Sequence, residues 1–66
     1  MNVNKLRGKI VENGISVEVL ADRIGVDRSS LYRKLNNWEK ITIGEAVRMK
    51  KELMLSDVEA CEIFLS

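Results

Sequence analysis

The sequence contains no histidine. That removes the usual general base, a common metal ligand and the group that activates a catalytic serine or cysteine. Cys61 is the single cysteine, so no internal disulfide can form and thiolates cannot build a zinc site. A reducing cytoplasm is the expected location. Proline is absent, and only Gly8, Gly14, Gly25 and Gly44 are glycines, with no glycine-rich phosphate loop among them. No apolar run approaches the ~20 residues that span a bilayer. The opening MNVNKLRGKI is polar from its start, unlike a secretion signal. Carboxylates such as Asp57 and Glu59 are expected on a wet helix surface with nothing to shift their pKa values. The expectation is therefore no enzyme, no metal, no cofactor, no small-molecule ligand and no membrane partner.

What is present suits one small helical domain over residues 1–66, with 45% apolar and 32% charged residues. A chain of this length buries only about 60% of its unfolded surface, so modest stability is expected. The net charge of +1 says little, but its distribution says more. All 11 Lys and Arg lie in residues 1–51, against Glu12, Glu18, Asp22, Asp27, Glu39 and Glu45. Residues 52–66 hold Glu52, Asp57, Glu59 and Glu62 and no base. Such a split suggests a basic body that meets a polyanion and an acidic end held away from it.

The organising stretch is SVEVLADRIGVDRSSLYRKL, from Ser16 to Leu35. Val17, Leu20, Ala21 and Ile24 recur at helical spacing, Ser16 can cap the start, and Gly25 can end the helix in a left-handed conformation. Asp27 then caps a second helix whose buried side is Leu31 and Leu35. Ala21 faces the crossing, where a larger side chain would hold the helices apart. The pattern is that of a helix-turn-helix at about residues 16–36.

The flanking segments read as three more helices. The first covers Val3 to Asn13, with Val3, Leu6 and Ile10 inward and Gly14 closing it. Lys5, Arg7 and Lys9 lie on its wet side, either solvated or, for one or two of them, near phosphate. A loop follows Leu35, and its Trp38 is read as packing over the core or, alternatively, as a phosphate contact. Thr42 and Glu45 form a capping box that opens a helix with Ile43, Ala46, Val47, Met49 and Leu53 on its apolar side. Lys50 falls within that side, where its stem can pack while the ammonium reaches water. Ser56 and Glu59 form a second box, opening a helix that runs to about Leu65. Val58, Ala60, Cys61, Ile63, Phe64 and Leu65 spread over roughly 220° of it, more than the ~100° stripe one neighbour needs. The excess either wraps the core edge or meets a second copy of the chain. Cys61 is expected to be a small buried hydrophobe.

Leu20-Ala21, Gly25-Val26 and Leu31 fall at the spacing of lambda-repressor-like helix-turn-helix proteins of the Cro/CI or XRE type, and nearly the whole chain resembles that family. The resemblance implies an all-α, five-helix DNA-binding domain. It also implies that the start of the second motif helix enters the major groove, with Arg28, Ser29, Tyr32 and Arg33 nearest the bases. Arginine forks suit O6 and N7 of guanine; a tyrosine ring suits a thymine methyl. Phosphate contacts are implied for Ser16, Val17, Lys34, Asn36, Asn37 and Lys40. Val17 departs from the Gln frequent in relatives, so it either touches a thymine methyl or merely packs. Asn37 stands where relatives often have glycine, and asparagine is the next best residue for a left-handed turn. Met54 also replaces a customary glycine and dislikes that backbone, so the usual helix cap is not expected there.

Two functions follow as expectations. The first is a sequence-specific transcriptional regulator, in kind a repressor, binding double-stranded DNA as a homodimer that is weak without DNA. Its interface residues would be Phe64, Leu65 and Trp38, and repression would follow from blocking polymerase. The second is a protein-interaction module of antitoxin or anti-repressor type, using the same fold and the C-terminal helix.

Overall fold

The computed structural model describes residues 1–37 and 40–65, so Trp38 and the three roles expected of it, in packing, at phosphate and at the dimer interface, lie outside the described residues. The chain is all-helical: α1 (Val3–Glu12), α2 (Val17–Ile24), α3 (Arg28–Asn36), α4 (Ile43–Glu52) and α5 (Asp57–Phe64). Each helix opens on a polar side chain that accepts a hydrogen bond from the N–H three residues on: Asn2, Ser16, Asp27, Thr42 and Ser56. Thr42–Glu45 and Ser56–Glu59 are both complete, reciprocal capping boxes. Five caps in a chain with so small a core matter, because each contributes ~1 kcal/mol.

The helices stop as sharply as they start. Gly14 (φ 69°) and Gly25 (φ 76°) take the left-handed conformation after α1 and α2. Met54 does so after α4, at φ 51°, against expectation. There the Leu55 N–H donates to the Lys50 carbonyl (3.0 Å) and the Met54 N–H to the Lys51 carbonyl (3.2 Å). These two bonds are the Schellman pairing that normally selects glycine. The force holding Met54 there comes from its neighbours: Leu53 and Leu55 are both buried, while the Met54 side chain points to water. Asn37 errs the other way. It is not left-handed (φ −134°); its carbonyl instead accepts the Lys40 N–H (3.0 Å), which turns the chain without that conformation.

Helix α2 lies at the centre, packed against α3 and α4, while α1 packs on α5. The core is Leu6 and Ile10 of α1, Leu20, Ala21 and Ile24 of α2, Leu31 and Leu35 of α3, Met49 and Leu53 of α4, Leu55, and Ile63 of α5. Ala21 has no exposed surface. Two bases of α1 are locked to two acids of α5, Lys5 to Glu62 and Lys9 to Glu59. Lys5 and Lys9 are therefore tied to α5, and the acidic end of the chain is held against α1. Asp57 and Glu59 are also perturbed, contrary to expectation. The Lys9 ammonium, helped by the Ser56 N–H, holds Glu59 at about 2, and Lys50 (2.9 Å) lowers Asp57.

Helix α4 is rotated from its expected seating. Ile43 and Val47 are 86% and 60% exposed, while Glu45 is 6% exposed. Glu45 sits inward because its carboxylate takes the Lys34 ammonium and the Thr42 N–H. Glu45, Met49 and Leu53, four apart, form the inner row, and the row through Ile43 and Val47 turns outward. Cys61 is likewise exposed, on the same side of the molecule.

Candidate nucleic-acid interface

Helix α3 owes its position to its inner side. Leu31 and Leu35 are buried against α2, and the three residues Gly25, Val26 and Asp27 connect the two helices. The Val26 N–H donates back to the Ala21 carbonyl (2.9 Å), so the turn is fixed at its first step. With one side pinned, the opposite side must face water. Arg28, Ser29, Tyr32, Arg33 and Asn36 are all exposed there, as the helical spacing predicts.

Arg28, Ser29, Tyr32 and Arg33 are held by partners within the chain. Arg28 forms a two-pronged pair with Asp22 of α2, Nε to Oδ1 at 3.1 Å and Nη2 to Oδ2 at 2.6 Å. Tyr32 donates its hydroxyl to Glu18 (2.7 Å). Ser29 donates to the capping Asp27, and Arg33 donates to Ser30 Oγ (3.2 Å). Arg28 holds Asp22 below the usual carboxylate range, and the Tyr32 hydroxyl does the same to Glu18. Glu18 in turn pushes the tyrosine up. All four groups thus keep their ordinary charges at neutral pH, with both carboxylates ionised and the phenol protonated.

The residues expected at phosphate divide into three sets. Ser16, Asn36, Asn37 and Lys40 are exposed. Val17 is half-buried and packs against the core. Lys34 is half-buried and its ammonium meets Glu45. Burial alone pushes Glu45 up, but Lys34 and the Thr42 N–H outweigh it and leave the carboxyl below its ordinary value. Ser30, Arg33, Lys34, Asn37 and Lys40 line one polar cleft of about 360 Å³ at the C-terminal end of α3.

A second open surface lies between α4 and α5. Ile43, Ala46 and Val47 on one side and Cys61, Phe64 and Leu65 on the other line an apolar groove of about 360 Å³. Leu65 is 79% exposed, but Phe64 is half-buried and packs on the core, so it serves the fold as well as the groove. Sequence reasoning missed Ile43 and Val47 in this groove, and Glu18 and Asp22 beside α3. The second omission had a signal: Glu18 and Asp22 are four apart on α2, Arg28 and Tyr32 four apart on α3, and the pairs are complementary.

Comparison with protein-family models, with curated proteins and with solved structures gave no match.

Proposed function

We propose that the chain is a sequence-specific DNA-binding regulator of transcription, in kind a repressor of the lambda-repressor-like type, reading a two-fold operator through α3 in the major groove. One observation carries the reading. A nine-residue helix, pinned on its inner side and joined to a central helix by a three-residue turn, presents two arginines, a tyrosine and a serine from its first six positions. The N-terminal part of the second helix of such a unit is what meets base edges in helix-turn-helix complexes. The polar cleft through Arg33, Asn37 and Lys40 suits the phosphates beside that groove.

Size supports a second copy. The domain measures 27 × 25 × 19 Å, shorter in every direction than the ~34 Å between successive major-groove faces of a duplex. Two recognition helices on one face of DNA therefore need two chains. The groove of α4 and α5 is the surface that suits their contact, because its apolar side chains are exposed to water in a single copy.

Selection of bound sites from a random duplex pool, followed by a salt titration on the selected site, tests the reading. Log affinity should fall linearly with log salt. Arg33→Ala should lose about 1–3 kcal/mol on the selected site and less on random DNA. A chain that enriches no sequence, or binds with no salt dependence, would move the function to the protein-interaction class.

A further inference from the structure

Arg28 is exposed, with 59% of its side chain open, yet it is not loose. Asp22 grips it along one edge, through Nε and Nη2. A guanidinium has five N–H groups, and this grip uses two of them. The end formed by Nη1 and the outer hydrogen of Nη2 remains, and it is itself a two-donor fork. That fork matches the paired acceptors O6 and N7 of guanine. Glu18, one turn before Asp22, is close enough to Arg28 to act on its charge and takes the Tyr32 hydroxyl.

Taking the DNA-binding reading as its basis, we infer that Asp22 is a positioning residue for base selection: it fixes Arg28 so that the open end of its guanidinium meets guanine. Two physical effects act together. The bidentate grip removes most rotamers of a long side chain before DNA arrives, so less freedom is lost on contact. The carboxylates of Asp22 and Glu18 also repel phosphate, which keeps Arg28 from the backbone contact that an unguided arginine makes with any sequence. Asp22 thus lowers general affinity and raises discrimination. That pair of opposite signs separates it from a residue that only stabilises the fold and from one that only screens charge.

The test selects sites from a duplex pool with 20 randomised base pairs, using the wild-type chain, Arg28→Ala, Asp22→Asn and Asp22→Ala. Asp22 is itself exposed, so both substitutions should leave the melting curve near that of the wild type. Arg28→Ala should lose guanine preference at one position of each half-site. Both Asp22 variants should lose about three- to tenfold of that preference at the same position. Their affinity for the unselected pool should rise. Retained guanine preference in both Asp22 variants would overturn the inference. So would a uniform rise in affinity with unchanged preference, which marks simple screening, or a fall on all DNA alike, which marks a structural role. If the wild type itself enriches nothing, the DNA reading fails, and that is visible before any variant is compared.

Discussion

The two open surfaces of this protein differ in how far the chain completes them. On α3 the polar groups are answered internally: Arg28 by Asp22, Tyr32 by Glu18, Ser29 by Asp27, Arg33 by Ser30. Between α4 and α5, Ile43, Val47 and Leu65 stand in water. A charged group in water can keep a local partner and still offer its remaining donors, as Arg28 does while Asp22 holds one edge of its guanidinium. An exposed apolar side chain has nothing of the kind, and only a second surface removes it from water. The first face is held ready by its own chain, the second waits for cover.

The comparison breaks most completely where the two faces share a support. Ala21→Leu forces extra volume into the side of α2 packed on α3 and α4, costing ~1–3 kcal/mol. Melting followed by circular dichroism should shift down by ~4–8 °C per kcal/mol in so small a domain. Both faces should fail together, and an unchanged melt would show that the helices can part without strain. Val47→Glu sharpens the contrast by acting on one face alone. Because Val47 is exposed in a single copy, the melt should hold, while cooperative binding to a full two-fold site weakens about tenfold, the loss of ~1.5 kcal/mol of valine burial. Equal cooperativity in the variant would place the contact between copies elsewhere. Phe64→Glu is the less informative change, since that ring also packs on the core.

Lys40→Ala tests the polar face at its edge. It should weaken all sequences alike and lower the salt slope by about one unit; an unchanged slope puts this lysine off the DNA. The smallest effect concerns neither face. Glu59 is depressed from its ordinary 4.5 to about 2 by Lys9, so its contribution is whole above about 4.5 and is lost as pH falls towards 2. Acid titration of stability should show that decline in the wild type. Glu59→Gln, which can still accept the Ser56 N–H, should flatten it.

Much of this was legible in the sequence, and the reasons are local. Caps at Ser16, Asp27, Thr42 and Ser56 follow from side chains that reach their own backbone, and the cores of α2 and α3 follow from spacing. What escaped depends on partners far along the chain. Ile43 and Val47 read as core because they share a helix with Met49 and Leu53, but with that pair inward the helical spacing turns them out, and Glu45, paired with Lys34, takes the inner row instead. Met54 read as incompatible with a left-handed backbone because intrinsic preference was weighed without its two buried neighbours. Lys5 and Lys9 read as solvated or near phosphate, and their pairing escaped because Glu62 and Glu59 lie far along the chain, on α5. The outward residues of α3 were readable, but their engagement by Glu18 and Asp22 required matching two helices across the turn.

The Lys34–Glu45 tie joins the last turn of α3 to the first turn of α4, next to Thr42 and Ile43 on the rim of the groove. Neither end of that link can swing without leaving a carboxylate stranded in the interior. The distance from the outer face of α3 to the apolar groove is therefore set within one rigid piece. On the proposed reading, two such pieces would act as a caliper with a fixed jaw. A target lengthened by one base pair carries its second half about 35° around the duplex, and a caliper of this kind cannot follow it. The protein would then measure the gap in its target as strictly as it reads the letters on either side.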